Sequence, residues 1–263
     1  MPRGTVAAVM AHTSRPFPPA RPHGELTEVL PDLFFVTGTV KMPGPIPIRF
    51  SRNMTVVRRG DRLVVINSVR LDDAGLAALD KLGKVTDVIR LAANHGMDDP
   101  FYADRYKARV WAVKGQRYTA GFKTSRLDTY FTPDVEMDAT TPLPIGGATL
   151  VTIDSTPPEA LLLLDSPRGT IISGDCLQNW GTPDPYINGL GRFVMKRMGF
   201  LQPHNIGPGW LKQGKPPHAQ LRSLLDHGFV NVLPVHGTPV LGNATELYRP
   251  AIDRVTSKEP SAT

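Results

Sequence analysis

At 263 residues the chain has room for one large domain, and its 41% apolar and 21% charged residues are those of a folded globular protein. The formal charge of +6 admits anionic partners. The lone cysteine, Cys176, excludes an intramolecular disulfide framework and suits a reducing compartment.

No apolar run approaches the roughly 20 residues that span a bilayer. Met1 to Met10 is too short and broken for a secretory core, so the expected address is the cytoplasm, with no membrane partner. His12 to Glu25 is Pro-rich and patternless. Residues 1–28 therefore read as a flexible arm, residues 29–256 as one domain, and 257–263 as a fraying tail.

In chain order, Leu33–Thr37 reads as a strand, and Lys41–Ile48, with prolines at 43, 45 and 47, as an extended loop. Asn53–Arg58 and Arg62–Asn67 form two strands of a hairpin through Arg59-Gly60-Asp61. Asp72–Leu82 predicts a helix with Leu76, Leu79 and Leu82 inward and Asp72 or Asp73 as cap. Val88–Ala93 is a buried strand, broken by Asn94-His95-Gly96, and a helix begins at Asp98-Asp99-Pro100 and runs to about Tyr106. Arg109–Val113 is the next strand. The stretch Arg105–Arg126 is the densest basic region and interleaves Tyr106, Trp111, Tyr118 and Phe122. Two readings stand for it: a phosphate or nucleic-acid face, and the favoured one, a solvated face.

The second half is richer in strands: Ala148–Ile153, Leu161–Leu164, Thr170–Ser173 and Val230–Val235. Residues 181–217 are rich in Gly and Pro and read as a lid or insertion carrying one helix, Leu190–Met198. His218–Asp226 and Ala244–Val255 predict two further helices. The order of elements suggests sheet layers with helices outside.

Three of these strands end in polar side chains beside a glycine: His95 with Asp99, Asp175, and His236. Chemistry in sheet proteins gathers at such strand ends. Imidazole and carboxylate together suit zinc, iron(II) or manganese. A plainer reading stands beside this one, in which Asp99 caps a helix and His95 fills a turn. Cys176, adjacent to Asp175, reads as a small buried residue. In the lid, His204, Trp180 and Arg192 are candidate substrate contacts. His12, His23, His218 and His227 read as surface residues.

The chain resembles the metallo-β-lactamase-fold superfamily in a form with an eroded metal motif. His95-Gly-Met97-Asp-Asp99-Pro100 resembles that family's His-x-His-x-Asp-His, with Met97 and Pro100 in place of two histidines. Ser173-Gly174-Asp175 resembles its bridging-Asp strand, and Pro234-Val-His236-Gly237 its closing-His turn. The family's middle His falls near Thr156-Pro157-Pro158-Glu159, where there is none, and its early Asp appears as Asn67. The resemblance covers roughly Leu30 to Ala251. It implies an α/β (α+β) fold, a four-layer αββα sandwich, with a metal site at one edge.

It further implies a hydrolase with a reduced, mononuclear site: one zinc, iron or manganese ion held by His95, Asp99, Asp175 and His236, with Asp98 or Glu159 helping. Asp99 would be the catalytic residue that orients or deprotonates water. The expected partner is a small molecule, anionic if Arg192, Lys196 and Arg197 face it, with nucleic acid disfavoured. Two alternatives remain: a catalytically silent relative that binds no metal, and a binder of nucleic acid or phosphoanions through the basic face.

Overall fold

On the strand β2 (Leu33–Lys41), Phe34 and Val36 enter one apolar interior while Leu33 and Phe35 enter another. The neighbouring strands divide in the same way. Met54, Val56, Leu63 and Val65 join the first interior, and Val57, Val64 and Ile66 join the second. Side chains alternate along a strand, so burial on both faces requires a packed layer on each side. In the computed structural model, which describes residues 17–42, 45–116, 132–165 and 167–257, those layers are present.

Among these residues, seven strands form the first sheet. They are β1 (Thr27–Leu30), β2, β3 (Arg49–Arg59), β4 (Arg62–Ile66), β5 (Lys84–Arg90), β6 (Arg109–Val113) and β7 (Val135–Met137), side by side in chain order. The first four pair antiparallel and the rest parallel. The parallel steps cross over through α1 (Asp73–Leu82) and α2 (Asp99–Tyr106), whose Leu76, Leu79, Phe101 and Tyr102 pack into the first interior.

The second sheet begins with β8 (Ala148–Ile153), β9 (Glu159–Leu164) and β10 (Thr170–Ile172). The chain then makes a short pair, β11 (Leu177–Gln178) with β12 (Asn205–Ile206), before returning as β13 (Asn231–Leu233), which lies parallel beside β10. On the way it forms α3 (Gly189–Arg197), α4 (Pro208–Gly214) and α5 (His218–Ser223), and it closes with α6 (Ala244–Thr256). The sheets face each other through Leu150, Leu162, Leu164, Ile172 and Leu233 against Ile66, Ile89 and Trp111. Leu221, Leu224, Tyr248 and Ile252 cover the outer face of the second sheet. This is the expected αββα sandwich.

Most expected elements lie within a few residues of their predicted bounds, and the differences have local causes. The first helix starts with Asp72 as cap, its Oδ1 accepting from Gly75 N at 2.8 Å. In α2 the cap position belongs to Asp98, and Asp99 is the first helical residue. The 181–217 segment contains α4 and β12 besides the expected helix. The arm reading ends early, because Gly24 N donates to Thr37 O (2.8 Å) and Thr39 N to Pro22 O (3.0 Å), which extends the sheet before β1. His23, expected at the surface, is half-buried; its Nε2 accepts from Asp72 N at 2.8 Å. Residues 117–131, which include Tyr118, Phe122 and the second part of the basic stretch, lie outside the described residues, as do 1–16 and 258–263. No helix among the described residues is long and apolar enough to cross a membrane.

One side chain ties the sheets together beneath the site. Asn67, at φ 53°, accepts from Leu91 N (3.2 Å) and donates from Nδ2 to Ser173 O in the second sheet (3.1 Å). Asparagine tolerates the left-handed backbone and offers both a donor and an acceptor. Asn67→Ala leaves two buried backbone groups unpaired and should cost about 2–4 kcal/mol, read from urea unfolding midpoints. Asn67→Asp should also destabilise, because a carboxylate cannot donate to Ser173 O.

Candidate metal centre

Strand pairing brings two of the candidate ligands to one edge. Ile172 of β10 and Leu233 of β13 are register partners in a parallel pair, so both strands run toward the same rim. Asp175 and His236 each lie three residues beyond those partners. His95 arrives from the first sheet, after β5, through a turn in which His95 N donates to Ala92 O (3.1 Å). Gly96 follows at φ 79°, and a side chain there would collide with Asp99. Gly174 leaves space for Ala92 and Glu159 beside it, and Gly237, at φ 89°, passes against the backbone of Asn179.

The three side chains converge. His95 Nε2 is 3.4 Å and His236 Nε2 3.3 Å from Asp175 Oδ1, and one ligand atom from each lies within 4.8 Å of the others. Donor atoms around a tetrahedral ion with bonds of about 2.0–2.1 Å stand roughly 3.3–3.4 Å apart, so these spacings suit a zinc-sized ion. His236 is held for that role: its Nδ1 donates to Ser51 O at 2.8 Å, leaving Nε2 to face inward. Trp180 stacks on its ring, with centroids 4.9 Å apart and planes 14° apart. Asn53 anchors the turn behind it, donating from Nδ2 to Pro234 O (2.9 Å) and Gly237 O (2.7 Å). His95 Nδ1 is buried and has no hydrogen-bond partner among the described residues.

The electrostatics favour neutral imidazole and ionised carboxylate at the centre. Burial lowers the pKa of His95, against the pull of Asp175. Asp175 is half-buried, and desolvation works against its charge, yet the two histidines hold its carboxyl well below the usual carboxylate range. Glu159 goes the other way: burial and then the Asp175 charge push it well above its ordinary value, so it carries the proton of the pair. Its Oε1 accepts from Cys176 N at 2.6 Å. Cys176 is fully buried with its pKa raised, an inert thiol as expected.

Above the triad lies a cavity of about 260 Å³. Met42, Met97, Met195 and Met198 contribute to its wall, with Phe50, Phe200, Trp180 and Trp210. The polar lining is sparse: Arg52, Asn94, Gln213 and the three candidate ligands. Arg52 is buried, donating to Ser68 O at 2.8 Å and pairing with Asp98.

Trp180 is among the residues around this cavity, buried against the His236 ring. The other expected residues are placed differently. Asp99 does not join the cluster: its Oδ1 accepts from Ser68 Oγ at 2.5 Å, and the side chain is fully buried under Gly96. As the first residue of α2 it points into the floor of the turn rather than at the imidazoles. Asp98 is engaged by Arg52 and by Arg70 N (2.7 Å). Glu159 stands next to Asp175 but faces a backbone amide. His204 packs edge-on against Tyr248, centroids 5.7 Å apart, away from the cavity wall. Arg192 is exposed on α3 and does not line the cavity, and neither do Lys196 and Arg197. Ser51, Asn53 and Arg52 were not read from the sequence. They sit in a strand whose pattern announces only burial; the roles of Ser51 and Asn53 depend on the distant 234–237 turn, and that of Arg52 on Ser68 and Asp98.

No sequence-family model matches the chain. No curated protein matches it either. Solved structures do. VMB-1 shares 12% identity and aligns with a TM-score of 0.60 over 89% of this chain and 96% of its own. The metallo-β-lactamase FIM-1 from Pseudomonas aeruginosa, in its mono-zinc form, shares 12% identity at TM-score 0.57 over 91% and 98%. A metallo-β-lactamase from Hirschia baltica shares 14% at TM-score 0.58 over 88% and 97%. At these identities the likeness is one of fold.

Burial raises the Asp99 carboxyl to about 6, with Ser68 and Arg90 opposing. The folded state thus binds this proton more tightly than the unfolded chain. Its contribution to stability is complete below the unfolded value of 3.8 and is lost as pH rises through about 6. Asp99→Asn should therefore gain stability relative to wild type between pH 4 and pH 7, by up to about 3 kcal/mol, in paired urea titrations.

Proposed function

We propose that this metallo-β-lactamase-fold protein is a hydrolase using a single metal ion, held by His95, Asp175 and His236, and acting on a small molecule whose bulk is apolar. The observation that carries this reading is the meeting of three donors from three strand ends at the floor of an apolar cavity. A neighbour of the same fold, FIM-1, is described in a mono-zinc form, which supports a one-ion site.

A zinc, iron or manganese ion bound there would supply Lewis acidity, polarising a substrate carbonyl and making water nucleophilic near neutral pH. His95 and His236 each offer a ring nitrogen, with burial favouring the neutral form of His95, and Asp175 offers the one ionised carboxylate of the cluster. Arg52, at the cavity wall, places a guanidinium where it can orient an electron-rich substrate group. Trp180 and the methionines exclude water and grip an apolar body. Met97, standing where the related motif has a histidine, adds apolar wall instead of a ligand. This favours an apolar substrate over the anionic one expected from the lid's basic residues.

Wild-type protein, stripped with a chelator and reloaded, should retain about one equivalent of Zn, Fe or Mn per chain after desalting. His236→Ala and Asp175→Asn should each weaken retention by at least about 100-fold. At a metal concentration 100 times its Kd, the metal should stabilise the wild type by about 2.7 kcal/mol in thermal melts. Wild type that takes up no metal and melts unchanged would sink the metal site and leave a catalytically silent binding protein of this fold. If metal is retained, a panel of esters, lactones and amides should be cleaved best where the acyl part is apolar and uncharged.

A further inference from the structure

The outer face of α3 is built from apolar and cationic side chains left in solvent. Leu190 and Phe193, three residues apart and so on one side of the helix, are 40% and 63% exposed. Met198, at its C-terminal end, is 56% exposed, and Ile46 is 55% exposed. Ile46 lies in the hairpin loop bonded to the helix cap, where Asn188 accepts from Arg49 N (3.0 Å) and donates to Pro47 O (2.6 Å).

Charge around this patch has one sign. Residues 181–217 contain Arg192, Lys196, Arg197, Lys212 and Lys215 against a single acid, Asp184. That acid is turned inward, bonding Ser51 Oγ, Trp180 Nε1 (3.3 Å) and Tyr186 N (2.9 Å). The patch is also continuous with the cavity, because Met198 belongs to both and Met195, one helix face away, lines the cavity from inside. A helix that presents Phe and Leu among Lys and Arg, and stands on a folded body, matches the pattern of segments lying in the plane of an anionic lipid surface.

We infer that the α3 face docks on anionic lipid bilayers, with Phe193 and Leu190 entering the acyl boundary and Arg192, Lys196 and Arg197 meeting the headgroups. Such a contact rests on the surface and requires no spanning helix. It is independent of whether the cavity hydrolyses anything, and it would set the cavity mouth beside a source of apolar molecules.

The test is co-sedimentation of the full chain with vesicles of phosphatidylcholine alone and of phosphatidylcholine mixed with phosphatidylglycerol. Wild type should pellet with the mixed vesicles, stay in solution with the neutral ones, and be released by high salt. Phe193→Ser with Leu190→Ser should weaken binding by at least about tenfold, as should Arg192→Glu with Arg197→Glu. All four positions are exposed, so the variants should melt as wild type does. Absence of pelleting with the mixed vesicles overturns the inference, as does pelleting that the Phe193 and Leu190 changes leave intact. Concentration-dependent dimerisation abolished by Phe193→Ser, without vesicle binding, would assign the face to a second copy instead and would overturn it equally.

Discussion

The candidate site depends on a hydrogen-bonded seam between sheets. Asn53 of β3 donates twice from its side chain to the 234–237 turn, and its backbone N donates to Val235 O at 2.8 Å; two residues earlier, Ser51 O accepts from His236 Nδ1. The first sheet thereby grips the loop that leaves the second. His95 comes from the first sheet and His236 from the second, so the distance between their rings, 5.1 Å between centroids, is set by this seam. Apolar packing between sheets is non-directional and would tolerate sliding. Directional bonds to buried carbonyls do not, because each displaced donor would be left unpaired in an interior of low dielectric.

Charge is arranged with similar economy. Two carboxyls stand close together, and Glu159 keeps its proton while Asp175 gives its own up. Asp175 supplies the one ionised carboxylate of the pair, so a divalent ion bound there would leave residual positive charge at the centre. In an apolar cavity such a charge would be weakly screened and would act on developing negative charge in a bound molecule. A second ionised carboxylate would cancel it. The buried protonated glutamate instead holds the Cys176 amide and thereby the backbone on which Asp175 sits.

Much of the fold was legible because alternating apolar residues and glycine punctuation are local signals. The hairpin at Gly60, the Asp72 cap and the strand Arg109–Val113 are written in neighbouring residues. His95, Asp175 and His236 were legible for a related reason, since each is a polar residue at a strand end beside a glycine. Asp99 follows the same strand end three residues past Gly96, in the position of the resembled motif's Asp, and the sequence could not separate it from the ligands. The difference is rotational: the first residue of a helix directs its side chain by the helix entry angle, and here that direction leads to Ser68. Ser51 contributes through a backbone carbonyl, which no side chain advertises. The methionine wall gathers residues 42, 97 and the pair 195 and 198 from three separate segments, and proximity of that kind has no periodicity along the chain.

The spacing of the ligands after their strands has a bearing on how the chain tolerates changes in length. Asp175 and His236 follow paired residues by the same three-residue step. One residue added to either step would turn that side chain to the opposite side of the backbone and lift it from the rim. Between Gly181 and Leu201, by contrast, the chain carries α3 past the cavity on its way from β11 to β12. Whole turns could be gained or deleted there without altering the register of β10 against β13. Added or lost residues would thus be borne more easily beside the mouth than in the two short steps beneath it, where Gly174 also leaves no room for a side chain.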